Sequence, residues 1–170
     1  IRLWPTGSAQ PAASNLNIRA GATVPNLVTV GVGAGGTVQV RNQSGTVDLI
    51  ADVVGWFDDG TTLGVPFTAL TPTRILDTRK GIGGPGAKVG TKSTRTLDVT
   101  ATLGSGVPAC GVSAVLLNVT ATGATADTFV TAFPTGAARP QASNLNVTPA
   151  RSIANLVAVA VGPSGTVDLY

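Results

Sequence analysis

The sequence predicts an all-β protein, an antiparallel β-sandwich or barrel-like domain with no substantial helix. Val, Thr, Gly, Ala and Pro dominate the composition, and Glu, Met and His are absent, a balance that favours strands joined by tight turns. Short apolar or alternating runs are separated by turn residues at intervals of roughly 8–12 residues, as in antiparallel sandwiches and barrels. No segment shows the 3.6-residue apolar period of an amphipathic helix.

Two patterns predict strands near the end of the first third of the chain. The run TVQVRNQSGTVDLI, residues 37–50, predicts a β-hairpin because two β-rich stretches flank the turn residues NQSG. The run IADVVGWF, residues 50–57, is almost continuously apolar. Such a run is typical of a strand that is covered on both faces.

Four further patterns predict strands in the second half. RTLDVTATL at 95–103 alternates, and DTFVTAFPTG at 127–136 alternates until Pro134 stops it. NLVAVAVGPSGTVDLY at 155–170 predicts two strands around the turn residues GPSG. SAVLLNVTATG at 113–123 predicts a strand with two faces. One face carries Ala114, Leu116 and Asn118, and the other carries Val115, Leu117 and Val119.

The chain repeats itself with a period of 129 residues. Residues 1–41 align without a gap on residues 130–170, with 19 identities in 41 positions. The phrase ASNLN, for example, occurs at Ala13–Asn17 and again at Ala142–Asn146. A period of this length is typical of successive domains rather than of a small solenoid repeat.

The repeat divides the chain into parts of two units. Residues 1–57 form the C-terminal half of one unit, and residues 67–170 form most of the next. Residues 58–66, DDGTTLGVP, have the composition of a linker. A single domain with the two similar segments in equivalent places is the alternative.

Composition argues against several function classes. The net charge is only +3 with thinly spread basic residues, and aromatic residues make up 4%, so the basic stripe of a nucleic-acid protein is absent. The eight Asp are scattered, and there is no His or Glu to serve as a catalytic base. We therefore expect no enzyme activity, no cofactor and no zinc site.

Cys110 is expected to be a small, partly buried apolar residue. No apolar run reaches 18 residues, so membrane insertion is not expected.

The most concentrated charges are Arg74, Asp77 and Arg79, ahead of the glycine-rich GIGGPG. Arginine forks hold carboxylates well, so the favoured interpretation is a structural ion-pair cluster. A carboxylate held between guanidinia beside an anion-binding loop is the functional alternative. GIGGPG itself lacks the spacing of a phosphate-binding loop.

Two pairs of asparagines occupy equivalent places in the repeat. Asn15 and Asn17, like Asn144 and Asn146, are two residues apart and would share one face of a strand. The favoured interpretation is that their amides bind nearby turn backbone. The alternative is a polar face that binds sugar hydroxyls or a cation.

Two aromatic residues also match across the repeat, Trp4 and Phe133, each directly before Pro-Thr-Gly. Packing at the edge of a unit is the favoured interpretation. An exposed platform on which a sugar stacks is the alternative.

The motifs LTPTRILDTRKGIGGPG, LLNVTATG, ASNLN and IADVVGWF together resemble a repeat in large secreted and cell-surface proteins of actinobacteria and other bacteria. The resemblance covers nearly all of residues 1–57 and 67–170. It implies an extracellular, non-catalytic β-domain, often in tandem or appended to secreted hydrolases, and it brings no established ligand. Some relatives carry cysteines at the position of Thr73 and near Cys110, and this chain lacks the first of them.

Two function hypotheses follow. One is a structural or adhesive module of a bacterial exterior, such as a fibre or surface-layer subunit, whose partners are copies of itself or neighbouring repeat units joined through open strand edges. The other is a glycan-binding module that targets a secreted enzyme to cell wall or polysaccharide. A hydrolase is a distant third hypothesis.

Overall fold

The structure, a computed structural model, describes residues 1–57, 64, 66–100 and 104–170. Over these residues the protein is all-β, with antiparallel strand pairs and a single short 3-10 turn at Ala34–Gly36. The predicted all-β class, with antiparallel strands and no substantial helix, is therefore confirmed for these residues. The strands are β1 Arg2–Pro5, β2 Val38–Arg41, β3 Arg95–Asp98, β4 Ala114–Ala121, β5 Thr128–Val130, β6 Ala132–Pro134, β7 Leu145–Val147, β8 Ile153–Ala160 and β9 Thr166–Leu169.

Residues 1–57 are called the first segment below, and residues 67–170 are called the second. The first segment has one two-stranded sheet, β1–β2, in which Leu3 lies opposite Val40. The hairpin predicted over residues 37–50 is wrong, because β2 pairs with β1 and residues 42–50 form no strand. The predicted turn does form, since the side-chain Nδ2 of Asn42 donates to the carbonyls of Ser44 and Gly45 at 3.0 and 2.9 Å. A distant partner has therefore replaced the neighbouring one.

The strand predicted at residues 50–57 is also wrong. This segment has no assigned strand, and every one of its residues is exposed. Ile50 and Val53 are 90% and 91% exposed, and the Trp56 and Phe57 rings are also largely exposed. A continuous apolar run indicates that a segment needs cover, but it does not say which surface covers it.

The described residues between 95 and 169 form three sheets with the strand orders β3–β9–β6, β4–β8 and β5–β7. Strand β9 is central in the first sheet, with β3 and β6 on its two sides. The longest pairing joins β4 to β8 over eight residues, from Ala114 opposite Ala160 to Ala121 opposite Ile153.

The inner faces of these sheets bury one apolar core. Leu145, Val147, Val157 and Val167 are at most 1% exposed and lie at its centre. The core consists of Leu97, Val99, Ala132, Leu145, Val147, Val157, Val159, Val167 and Leu169. Mostly aliphatic side chains fill it, as expected for a chain rich in valine.

Strand β4 confirms its predicted alternation, because Val115, Leu117 and Val119 pack against the core while Leu116 and Asn118 are exposed. The single run predicted over 127–136 is instead divided between β5 and β6, which belong to different sheets. Thr131, between them, is 1% exposed and donates its hydroxyl to the carbonyl of Ala142 at 2.8 Å. The alternation predicted there consequently fails, because the chain changes sheets at this residue.

The other two predicted patterns are partly realised. The run at 95–103 forms β3 only as far as Asp98, whose carboxylate accepts from the Thr100 amide at 3.1 Å, and residues 101–103 lie outside the described residues. The run at 155–170 forms β8 and β9 as expected. These two strands lie in different sheets, so the GPSG turn between them does not close a hairpin.

The register of β1–β2 recurs in β6–β9 when 129 is added to each residue number. The turn before β2 recurs as well: the Gly33 amide donates to the Thr37 carbonyl at 2.9 Å, and the Gly162 amide donates to the Thr166 carbonyl at 2.9 Å. The two segments therefore share backbone geometry along with sequence. Most of the predicted linker, residues 58–66, lies outside the described residues, and the division into two units stays a prediction.

One contact is kept across the repeat with different chemistry. Gln10 and Arg41 of the first segment correspond to Arg139 and Tyr170 of the second. Arg41 donates to the Gln10 side chain at 2.7 Å, whereas the Arg139 guanidinium lies 3.8 Å from the centre of the Tyr170 ring. A hydrogen bond in one segment is thus replaced by a cation–π contact in the other.

Candidate functional site

Asn15 and Asn144 make the same hydrogen bond in the two segments. The Asn15 side-chain oxygen accepts from the Leu3 amide at 2.7 Å, and that of Asn144 accepts from the Ala132 amide at 2.7 Å. Each amide belongs to a residue of the strand that precedes Pro-Thr-Gly. These two asparagines thus satisfy strand backbone groups, which is a structural task.

A second asparagine in each segment holds the first one in place. The Asn26 side-chain Nδ2 donates to the main-chain oxygen of Asn15 at 2.6 Å, and the Asn155 side-chain Nδ2 donates to that of Asn144 at 2.8 Å. Neither Asn26 nor Asn155 was predicted as a partner from the sequence. Their signal was visible, because NLV recurs at the same 129-residue spacing.

The other pair, Asn17 and Asn146, lines one shared cleft. The cleft has a volume of about 730 Å³, within the ordinary range of ligand pockets. Asn146 also accepts from the Ser143 hydroxyl at 3.2 Å, and Asn17 is exposed. The cleft is lined by Asn17, Arg19, Gly21, Ala22, Thr23 and Val24 of the first segment and Asp127, Thr128, Asn146, Val147, Thr148, Arg151 and Ile153 of the second.

Equivalent turns form two walls of this cleft. The Ala22 amide donates to the Arg19 carbonyl at 3.1 Å, and the Arg151 amide donates to the Thr148 carbonyl at 3.3 Å. The third residue of the first turn is Gly21, with a φ of 73°. Its counterpart is Ala150, whose φ of 61° lies in the left-handed region that a side chain disfavours.

The cleft carries mixed charge with a positive excess. Arg19 and Arg151 supply two guanidinium groups, Asp127 supplies one carboxylate, and all three residues are exposed. Guanidinium groups bind carboxylates and phosphates, and Asn and Thr side chains bind hydroxyls. This set suits a polar, hydroxyl-rich ligand of neutral or acidic character.

The sugar-platform alternative for the two matched aromatics is wrong. Trp4 and Phe133 are 9% and 7% exposed, so neither ring offers a face to a ligand. Each lies in a short strand that pairs with another strand, Trp4 opposite Gln39 and Phe133 opposite Asp168. The alternative of an exposed ring rested on the position at a strand end, which does not determine what packs above the ring. Burial of both rings is consistent with the favoured interpretation, packing at the edge of a unit.

Arg74, Asp77 and Arg79 are brought together away from the cleft. Asp77 accepts from Arg79 at 2.8 and 2.9 Å and from Arg74 at 3.2 Å. Its carboxylate also accepts from the Arg79 amide, and its amide donates to the Ile82 carbonyl at 3.0 Å. The hydrogen bonds from the Arg79 side chain are the main reason that the pKa of Asp77 lies well below its usual range. The cluster closes the glycine-rich loop onto its own entry residues.

No protein-family model, curated protein or solved structure matches this chain.

Three other expectations concern Cys110, metal binding and membrane insertion. Cys110 was expected to be partly buried, but it is exposed in a bend before β4, so that expectation is wrong. Among the described residues no group of three or more His, Cys, Asp or Glu side chains could hold a metal ion. Those residues also include no helix long and apolar enough to cross a membrane.

Proposed function

We propose that this protein is a non-catalytic structural or adhesive repeat module of a bacterial exterior, and that copies of it assemble with one another. The observation that carries this proposal is the exposed apolar segment Leu49–Phe57. A contiguous group of apolar side chains on the surface of a protein usually marks a site at which another molecule binds. The secreted location rests on the family resemblance.

Open strand edges support assembly as well. Within the described residues, the sheets β1–β2 and β4–β8 have two strands each, so every strand in them has one unpaired side. Unpaired edges and exposed β-rich apolar segments are the surfaces through which chains associate by strand addition.

Sedimentation velocity over a range of concentrations, followed by electron microscopy, tests the proposal. We expect concentration-dependent oligomers of the 170-residue chain, and we expect a double variant, Val53→Asn with Phe57→Asn, to shift the distribution toward monomer. The matched control is Val32→Asn, because Val32 is 70% exposed and lies outside the segment. A chain that remains monomeric at millimolar concentration would contradict the proposal.

The cleft supports a second candidate function, a glycan-binding module. Here the specific observation is that Asn17, Asn146, Arg19 and Arg151 line one cavity. Binding to insoluble polysaccharides, with both neutral and uronic-acid polymers, tests it. Arg19→Ala combined with Arg151→Ala should weaken binding to the acidic polymers, whereas Lys80→Ala, an exposed cation outside the cleft, should not. Absence of binding by the unmodified chain would eliminate this candidate.

A further inference from the structure

The side chains on the outer face of the sheet β4–β8 are mostly exposed to solvent. Leu116 lies opposite Ala158, and Leu156 lies opposite Asn118. Both leucines are almost half exposed. The face consists of Ala114, Leu116, Asn118 and Thr120 on β4 and Ala154, Leu156, Ala158 and Ala160 on β8, and it contains no charged residue. Small side chains around two leucines make it flat and apolar, which is suitable for packing against another β layer.

The segment Leu49–Phe57 has one uncharged side when it is extended. Side chains alternate along a strand, so Leu49, Ala51, Val53 and Phe57 lie on one side. The other side carries Asp52, whose carboxylate is costly to bury without a partner. The side with Val53 and Phe57 can therefore be buried against another surface without the free-energy penalty of burying a charge.

We propose that the outer face of β4–β8 is the docking site for residues 49–57 of a second copy of this chain. This inference rests on the proposed assembly function and names the surface that it uses. The lengths agree, because residues 49–57 span about 26 Å when extended and the eight residues of β4 span about 23 Å. Neither surface brings an uncompensated charge into the contact.

The occupant is a second copy because the segment does not cover this face within its own chain. Ile50 and Val53 are almost fully exposed, and so is the segment on both sides of them. Each copy contributes one segment and one face, so every copy can both donate and accept. A contact between two different surfaces of identical chains extends into an open chain of subunits unless its rotation closes a ring.

Cross-linking of introduced cysteines tests the contact between copies. Two variants, Val53→Cys and Leu156→Cys, are each made with Cys110→Ser, mixed in equal amounts and treated with a short bismaleimide that joins two thiols. Packed β layers lie about 10 Å apart, which is beyond the reach of a disulfide but within the reach of the linker, so the docked arrangement should yield the mixed dimer in at least tenfold excess over a mixture of Val53→Cys with Val32→Cys. Equal yields from the two mixtures would overturn the proposal.

Association measurements separate this inference from the function on which it rests. Leu116→Asn and Leu156→Asn should each weaken association about tenfold or more, since each removes an apolar side chain from the contact. Far-UV circular dichroism checks that both variants fold. If they associate normally while the Val53/Phe57 variant does not, the acceptor face is wrong and the assembly function stands. If the unmodified chain does not associate, both proposals fail. A Val53→Cys/Leu156→Cys double variant that closes within one chain at high dilution also overturns docking between copies.

Discussion

Replacing Asn144 by alanine should destabilise the protein through one hydrogen bond. The Asn144 side-chain oxygen accepts from the Ala132 amide at 2.7 Å, and Ala132 is a buried residue of β6. The variant leaves that amide without this partner. The side-chain Nδ2 of Asn155 keeps its bond, because it donates to the main-chain oxygen of residue 144, which alanine retains.

The expected loss follows from this difference. A buried donor without a partner costs about 1–3 kcal/mol of unfolding free energy. Asn144→Asp retains the acceptor oxygen and should lose less. The counterpart variant, Asn15→Ala, should also lose less than Asn144→Ala, because Leu3, whose amide it binds, is only partly buried.

Urea denaturation monitored by far-UV circular dichroism measures these differences as shifts in the midpoint at constant slope. Asn146→Ala is the matched control, two residues away, with a longer bond at 3.2 Å to the Ser143 hydroxyl. We expect this control to change stability by less than about 0.5 kcal/mol. Equal effects of Asn144→Ala and Asn146→Ala would refute the assignment of a structural task to Asn144.

Three further predictions concern buried volume, charge and backbone strain. Leu145→Ala should cost about 2–5 kcal/mol in urea denaturation because Leu145 is fully buried, and Leu16→Ala should cost less because its side chain is partly exposed. Asp77→Asn should destabilise the protein above about pH 5, because the hydrogen bonds from the Arg79 side chain hold the pKa of Asp77 below its unfolded value. This contribution is complete above the unfolded pKa and is lost progressively as the pH falls below about 4, so the difference from the unmodified chain should shrink there; a pH-independent difference would contradict this. Ala150→Gly should raise the thermal midpoint by relieving an unfavourable φ at a net gain of up to about 1 kcal/mol, and Gly21→Ala should lower it, so shifts of the same sign would refute the strain argument.

Local patterns predicted much of the secondary structure. Strand β4 was found with its correct faces because strict alternation places successive side chains on opposite sides of any sheet. The 129-residue alignment placed Asn15 and Asn144 at equivalent positions, and their side-chain oxygens accept equivalent hydrogen bonds at 2.7 Å in both segments. The Arg74–Asp77–Arg79 contacts were within reach for a similar reason, since the three residues are neighbours in sequence.

Distant contacts decided what the sequence could not. Strand β2 had two candidate partners, and the structure pairs it with β1 rather than with the residues after NQSG. Trp4 was buried by neighbours that its position in the sequence does not reveal. Asn17 and Asn146, which are 129 residues apart, line one cleft only because the two segments lie beside each other.

The sequence by itself determined the all-β class and the alternating faces of β4, because these depend on residues within a turn or a strand of one another. It also showed the 129-residue register directly, as 19 identities in 41 aligned positions. The tertiary structure decided which strands pair, which aromatics are buried, and that Leu49–Phe57 and the outer face of β4–β8 are left exposed. Burial depends on what lies across a sheet, and the chain brings those residues together from far apart in sequence.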